Sequence, residues 1–256
     1  MQKETKKKKL NVLDIFCGGG GASMGLHQAS FQNIVGIDIK PQPEYPFPFI
    51  QVDVNAIKSI QGFDLVWASP PCQAFSSANT TNRKYGRGKQ INLIPFTRNL
   101  LSESNIPYCI ENVPLAPIRH DLLLCGQIFD LPIWRHRIFE ISFPILPKVH
   151  LPHSSFKKPE LGNIITIITG RSSALHHKGQ PIKKRMEVME EREGLTTSQG
   201  RVKKYSEALE INWMCKEKTL AESIPPAYSK YIGDQLILFK QGKGQRSLLE
   251  FMLKKM

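Results

Sequence analysis

The sequence predicts an α/β fold built on a mostly parallel, doubly wound sheet, and two observations carry that prediction. Apolar runs of strand length recur through the first half of the 256 residues, with turn or helix signals between them. The first run, residues 10–16, is followed by a glycine turn at residues 17–21 and by a helical pattern that begins at Ala22. A strand, a glycine turn and a helix in this order form the first unit of a Rossmann-like sheet. The length leaves room for a second, smaller domain.

Composition restricts the partners and the compartment. A net charge of +13 and a pI near 9.6 suit a polyanion such as nucleic acid, although a lysine-rich surface is compatible with other roles. The five cysteines are odd in number and include no Cys-x-x-Cys pair, and the histidines form no cluster at ligand spacing. We therefore expect a reducing, cytoplasmic compartment, no disulfide framework and no metal site. No apolar run reaches membrane-spanning length, so no membrane association is expected.

Two further strands end in carboxylates. Residues 34–38 end in Asp38, and residues 49–54 carry Asp53 near their end. A carboxylate at the end of the second strand suits ribose hydroxyls, but each acid could instead be a helix N-cap. Together the two acids favour a nucleoside pocket at one rim of the sheet. The chain has no Gly-Lys-Ser/Thr sequence, which excludes an NTPase phosphate loop.

The next strand, residues 63–68, leads into Ser69-Pro70-Pro71-Cys72-Gln73. The prolines fix φ, so the loop is stiff and holds Cys72 in front of the carboxyl end of the strand. A nucleophile and a buried structural thiol are equally compatible with this motif alone. The polar, basic residues 76–89 beyond it suit either a lid over the site or a solvated loop.

Glu111 and two arginines complete the candidate catalytic set. Glu111 follows the apolar residues 107–110 and reaches the same rim as Cys72. Desolvation can raise its pKa and let it donate a proton to a ring nitrogen, although a cap or an ion-pair partner is the commoner role. Arg135 and Arg137 lie two apart on one face of an extended segment. Their guanidinium groups can address the same ligand as Glu111.

The motifs stand in one order along the chain: Asp14 to Gly21, Ser69 to Gln73, Glu111-Asn112-Val113, and Arg135-His136-Arg137. In that order they resemble the cytosine-C5 DNA methyltransferase family, and residues 222–233 resemble the last motif of that family. Two positions depart from the family pattern, since Ile133 replaces a usual glutamine and Cys17 a usual alanine.

The resemblance implies a Rossmann-like class I methyltransferase fold with a small target-recognition domain. Residues 10–148 would form the catalytic domain that binds the cofactor. Residues 149–219 would form the target-recognition region, residues 220–239 a helix that returns to the catalytic domain, and residues 240–256 a flexible tail.

The resemblance also implies the chemistry. Cys72 would add to C6 of a flipped cytosine, and Glu111 would support N3 and the exocyclic amine. Arg137 would hold O2 of the base, and Arg135 a neighbouring phosphate. Other substrate contacts would come from Gln73, Ser76, Asn112 and Arg171.

The implied methyl donor is S-adenosyl-L-methionine, which leaves S-adenosyl-L-homocysteine as product. Phe16 would stack near the adenine, Asp38 would bind the ribose, and Asp53 would lie at the adenine edge. Gly18 and Gly20 would approach the methionine part. The full implied cofactor site comprises Asp14, Phe16, Gly18, Gly20, Gly21, Asp38, Ile39, Asp53, Val54 and Pro70.

The implied partner is duplex DNA at the nucleoid, bound by a monomer. The short recognition region predicts a short or relaxed target sequence. Within it, residues 164–171 predict a strand, and residues 183–193 suit phosphate contacts or an exposed helix with i,i+4 ion pairs. Cytosine-C5 methylation of RNA, such as tRNA, and a non-catalytic nucleic-acid-binding scaffold are the alternative functions.

The tail carries a further short motif. Gln245, Leu248, Phe251 and Met252 are similar to the peptide that docks on replication sliding clamps. A terminal amphipathic helix folded onto the same chain is the equal alternative.

Overall fold

The structure, a computed structural model, describes residues 9–73, 75, 91–153 and 198–242. Across these residues seven strands form one sheet in the order β3-β2-β1-β4-β5-β7-β6. The strands are β1 (Asn11–Ile15), β2 (Asn33–Asp38), β3 (Phe49–Gln51), β4 (Leu65–Ala68), β5 (Tyr108–Asn112), β6 (Leu122–Leu124) and β7 (Arg137–Ile141).

Strand direction confirms the predicted fold. The strands β1 to β5 pair in parallel, whereas β7 runs antiparallel to both β5 and β6. Crossovers between parallel strands usually run through helices that cover the faces of the sheet. The described helices are α1 (Gly21–Gln28), α2 (Ile94–Glu103), α3 (Ser198–Leu209), α4 (Glu217–Glu222) and α5 (Pro226–Lys240), with short 3-10 helices at Val54–Ala56 and Gly126–Phe129.

The core lies in two layers, one on each face of the sheet. Successive side chains of a strand point to opposite faces, and β1 is buried on both. Val12 packs with Leu26 of α1 and Ile232 of α5, whereas Leu13 packs with Leu101 of α2 on the other face. This two-sided burial explains why the strands read as continuous apolar runs in the sequence.

Helices α1 and α5 touch backbone to backbone. A Cβ on Gly25 would lie 2.0 Å from the carbonyl oxygen of Pro226, so only glycine permits this approach. The Ser229 hydroxyl donates to the carbonyl of Ala22 at 2.7 Å. The close contact fixes the start of α5 beside the glycine turn that opens α1.

A third cluster joins α3 to the segment that precedes β7. Tyr205 and Leu209 of α3 are buried with Leu131 and Ile133. The Trp213 indole, just beyond α3, donates to the carbonyl of Gly19 at 2.9 Å. Residues from α3 onward therefore pack directly against the sheet domain and the glycine turn.

Several predictions fall on residues outside the described ranges. They concern the segment at residues 76–89, the strand at 164–171, the segment at 183–193 and the tail motif at 245–252. Among the residues that are described, no helix is long and apolar enough to cross a membrane.

Candidate active site

A cavity of about 1140 Å³ opens at the carboxyl ends of β1, β2, β4 and β5. This is the edge where open α/β sheets bind ligands, and the volume exceeds that of a typical pocket for one small molecule. Most of the residues proposed from the sequence line it, namely Asp14, Phe16, Gly18, Gly21, Asp38, Ile39, Asp53, Val54, Pro70, Cys72, Gln73, Glu111, Asn112, Arg135 and Arg137. Ser76 and Arg171 lie outside the described residues.

The glycine turn is built from left-handed backbone. Phe16 has φ 62°, Gly18 φ 49° and Gly20 φ 86°, and this conformation is uncommon for a residue with a side chain. Gly20 itself is not among the residues that line the cavity, whereas Gly18, Gly19 and Gly21 are, and its contact with the methionine part stays a prediction. A Cβ on Gly20 would lie 2.9 Å from the rings of Tyr45 and Pro46. The left-handed backbone at Gly20 lets the chain turn into α1.

The two strand-end acids each bind backbone N–H groups. Asp38 accepts from the amide of Lys40 at 2.9 Å and from the amide of Gly18 at 3.3 Å. Asp53 accepts from the amide of Asn55 at 2.9 Å as the N-cap of the 3-10 helix at Val54–Ala56. The capping alternative is thus realised at Asp53, while both carboxylates still line the cavity.

Asp14 is a fully buried carboxyl at the end of the cavity. The Ser23 hydroxyl donates to its Oδ2 at 2.5 Å, and the Tyr45 hydroxyl lies 2.6 Å from Ser23 Oγ. Asp14 Oδ1 has no hydrogen-bond partner among the described residues. Burial raises the pKa of Asp14 to about 7, the hydrogen bond from Ser23 opposes the rise, and the charges of Asp38 and Glu111 add to it.

Cys72 faces an ion pair between Glu111 and Arg137. Arg137 Nε lies 2.8 Å from Glu111 Oε1, with side-chain exposures of 14% and 9%. The Asn112 amide donates to the carbonyl of Pro70 at 2.9 Å and so ties the end of β5 to the cysteine loop. Glu111 therefore occupies the ion-pair role that the sequence left open.

The environment opposes ionisation of Cys72 in the free protein. Burial raises the pKa of its thiol, Arg137 lowers it, Glu111 raises it, and Arg135 lowers it. The net shift is upward. Cys72 therefore carries a neutral thiol at neutral pH in the free protein.

Arg135 lines the cavity but is largely buried. Only 9% of Arg135 is exposed, and its Nη2 donates to the carbonyl of Ala221 at 2.6 Å, so the contact with a DNA phosphate stays a prediction. Burial, followed by the charge of Arg137, lowers its pKa to about 9. The Tyr228 hydroxyl holds the backbone carbonyl of Arg135 at 2.7 Å, so Arg135 links β7 to α4 and α5.

One part of the cavity wall and one support of the glycine turn could not be predicted from the sequence. Thr219 and Ala221 of α4 line the cavity, although only the residues from 222 onward carried a motif. Trp213 holds the glycine turn across a separation of 194 residues. No local pattern signals such a contact.

A second group of side chains contradicts another prediction. Cys125, His136, His150 and His153 meet with all their potential ligand atoms within 4.8 Å of one another. The prediction that the histidines form no cluster at ligand spacing is therefore wrong. The cluster has no compact sequence signature because folding of the β6 and β7 segments brings it together.

The buried carboxyl of Asp14 predicts a pH-dependent stability. Its pKa rises from 3.8 unfolded to about 7 folded, so the folded state binds the extra proton between these values and stability falls as pH rises through this window. Asp14→Asn removes that slope. In urea unfolding without cofactor, the free energy of unfolding of the variant minus that of wild type should rise by on the order of 4 kcal/mol between pH 4 and pH 8.

Asp130→Asn is the matched control for that measurement, because Asp130 is exposed and asparagine tolerates its left-handed φ of 56°. A difference between Asp14→Asn and wild type that stays constant with pH would contradict the account.

The raised pKa of Cys72 predicts slow alkylation at neutral pH. Its reaction with iodoacetamide, followed by peptide mass spectrometry, should rise through a midpoint above the ordinary thiol value of 9.0. Arg137→Gln should move this midpoint up and Glu111→Gln should move it down, because the two charges act in opposite directions. A wild-type midpoint below the ordinary value would contradict the electrostatics described above.

Some known proteins resemble this chain in sequence, and others resemble it in fold. A family model described as "C-5 cytosine-specific DNA methylase" matches residues 10–115. The Type II methyltransferase M.HgiGI of Herpetosiphon aurantiacus is 30% identical over 119 residues, which cover 42% of this chain and 93% of that relative. M.HgiDI of the same organism is 29% identical over 119 residues, and there the match spans only 38% of the relative.

Two solved structures show the same fold along most of the chain. The Entamoeba histolytica methyltransferase EhMeth superposes with a TM-score of 0.57 at 14% identity, covering 92% of this chain and 99% of that one. The Dnmt2 methyltransferase of S. pombe gives a TM-score of 0.52 at 15% identity, covering 90% and 98%. With a relative matched over nearly its whole length, the chain belongs to the C-5 cytosine-specific DNA methylase family and is a DNA (cytosine-5-)-methyltransferase.

Proposed function

We propose that this enzyme methylates C5 of cytosine in duplex DNA through a covalent bond between Cys72 and C6 of a flipped base. The observation that carries the proposal is the meeting of Cys72, Glu111 and Arg137 at one end of the cavity, with the two charged side chains 2.8 Å apart. The thiol of Cys72 is a nucleophile for a ring carbon of cytosine. The carboxyl group of Glu111 and the guanidinium group of Arg137 can form hydrogen bonds with the polar atoms of the same ring.

The cavity suits S-adenosyl-L-methionine, which supplies an electrophilic methyl group on a sulfonium ion. Asp38 lies at the end of β2, where a carboxylate accepts bonds from ribose hydroxyls, and Ile39 and Val54 offer apolar contacts at the same wall. Asp14 presents a buried, unpaired carboxylate oxygen. A cationic ligand offsets the burial penalty of that carboxylate, so the donor set fits a positively charged cofactor.

Covalent addition solves the main chemical difficulty. C5 of cytosine is a poor nucleophile while the C5=C6 bond is intact. Addition of the Cys72 thiolate to C6 would move the electron pair of that bond to C5. C5 could then take the methyl group as the methyl–sulfur bond of the sulfonium breaks, and S-adenosyl-L-homocysteine would leave as a neutral thioether. Removal of the C5 proton by a base then restores the double bond and expels Cys72 as the thiolate.

Glu111 and Arg137 act on the base during this addition. Glu111 accepts from the exocyclic amine and, in its protonated form, gives its proton to N3, while Arg137 binds O2 and offsets the negative charge that develops on the ring. Their mutual ion pair holds both side chains in place before the base arrives. The positive charge of Arg137 also favours the Cys72 thiolate.

The base must leave the duplex, because Cys72 lies inside a cavity that a stacked base cannot enter. Gln73 is exposed at the mouth of the cavity, where it and Asn112 can shape the space left for the flipped base. The net charge of +13 suits contacts with the phosphate backbone.

We place target recognition in the residues before α3. Tyr205 and Leu209 of α3 share a core with Leu131, so α3 belongs with the catalytic body and not with a separate domain. The remaining recognition segment is short, which favours a short target sequence. The names of the Type II relatives support a biological role in restriction–modification.

The test is transfer of labelled methyl from S-adenosyl-L-methionine to unmethylated plasmid DNA, followed by sequencing of the modified positions. We expect C5-methylcytosine in a fixed short context. Cys72→Ala should abolish transfer, and Glu111→Gln should slow it by about 10² to 10⁴, while both variants retain cofactor binding. Cys215→Ala, which removes an exposed cysteine, is the matched control and should transfer normally.

Other outcomes would overturn the proposal in distinct ways. Transfer to tRNA but not to DNA would assign the enzyme to RNA. Cofactor binding without transfer to either nucleic acid would indicate a non-catalytic scaffold. Full transfer by Cys72→Ala would exclude Cys72 as the nucleophile.

A further inference from the structure

The cluster of Cys125, His136, His150 and His153 lies outside the machinery proposed for methyl transfer. Cys125 is fully buried and precedes the 3-10 helix at Gly126–Phe129. His136 stands directly before β7, and the other two histidines follow β7. Three separate segments of the chain thus converge on one point.

The distances match those of a tetrahedral metal site. His150 Nε2 lies 3.2 Å from His136 Nε2 and 3.2 Å from His153 Nε2, and His153 Nε2 lies 3.5 Å from Cys125 Sγ. Ligands bound tetrahedrally at normal zinc bond lengths are about 3.3 to 3.6 Å apart. The three contacts therefore agree with three of the six edges of a coordination tetrahedron, and the other three pairs of ligand atoms lie within 4.8 Å.

Hydrogen bonding alone does not explain this arrangement. A ring nitrogen of a neutral imidazole either donates one proton or accepts with one lone pair. His150 Nε2 faces two other Nε2 atoms at 3.2 Å, so one nitrogen would have to serve two partners. A cation at the centre satisfies all the lone pairs at once.

The surroundings of the cluster also suit a metal site. The His153 ring stacks on Trp134 with ring centroids 4.0 Å apart, which fixes the orientation of that ligand. Such outer contacts hold metal ligands in place in known sites.

We propose that Cys125, His136, His150 and His153 form a structural metal site that binds one zinc ion. One thiolate with three imidazoles is a donor set that zinc prefers, and a set of four protein ligands leaves no open position for catalysis. The ion would join the end of β6, the start of β7 and the chain that leaves β7.

The site would anchor the entrance to the recognition segment. His153 is the last described residue before the gap at residues 154–197, and His136 lies between Arg135 and Arg137. The proposed ion thereby connects the segment that carries the active-site arginines with the segment that leads toward DNA recognition. This role is independent of the mechanism of methyl transfer.

The test is the metal content of the full chain, purified without a polyhistidine tag from zinc-supplemented medium. Mass spectrometry of the metals should find about one zinc per chain. The zinc content per chain of the double variant His150→Ala/His153→Ala should be lower by about tenfold or more. His27→Ala/His120→Ala removes two exposed histidines outside the cluster and should retain the metal.

A second measurement remains decisive if the double variant does not fold. Cobalt reconstitution of the wild type should give intense visible bands of tetrahedral Co²⁺ and a thiolate-to-cobalt charge-transfer band. His150→Cys keeps four ligands, so it should retain the metal and strengthen the charge-transfer band. Wild type without stoichiometric zinc and without these bands, or a double variant with undiminished zinc, would overturn the proposal.

Discussion

The active site depends on the register of four strands at one edge of the sheet. Ile15 of β1 pairs with Ala68 of β4, and Ala68 pairs with Ile110 of β5. The glycine turn, the cysteine loop and Glu111 therefore all begin at the same level. Because β7 is antiparallel, with Ile138 beside Asn112, its first residue stands where β5 ends. A parallel β7 would carry Arg137 to the opposite edge, and a slip of one residue would turn its side chain to the other face.

In the free enzyme, the environment at this edge disfavours the charged forms of Cys72 and Asp14. Burial keeps the thiol of Cys72 protonated, while Arg137 and Glu111 act on its pKa in opposite directions. Asp14 carries a similar penalty, since burial raises its pKa to about 7. A cationic cofactor would relieve the second penalty, and a bound cytosine that accepts the sulfur would relieve the first. Ligand binding and ionisation are thus expected to be coupled.

Local patterns predicted the strands, the glycine turn and the cysteine loop, because each depends on a few neighbouring residues. The burial of Arg135 could not be predicted from the sequence, because it depends on a contact with Ala221, which lies 86 residues further along the chain. Nor could the sequence predict the cluster around His136, whose members approach only after β6 and β7 pair. The sequence also gave no sign that Gly20 packs closely against Tyr45 and Pro46. Long-range packing accounts for these differences.

The bond proposed between Cys72 and the target base can be trapped with fluorinated DNA. In a duplex whose target cytosine carries fluorine at C5, no proton is left to remove after methyl transfer, so elimination is blocked. We expect a stable covalent adduct that forms only with S-adenosyl-L-methionine and maps to the peptide that contains Cys72. Methylation of ordinary cytosine by the same preparation with no adduct on fluorinated DNA, or with an adduct on another residue, would contradict this expectation.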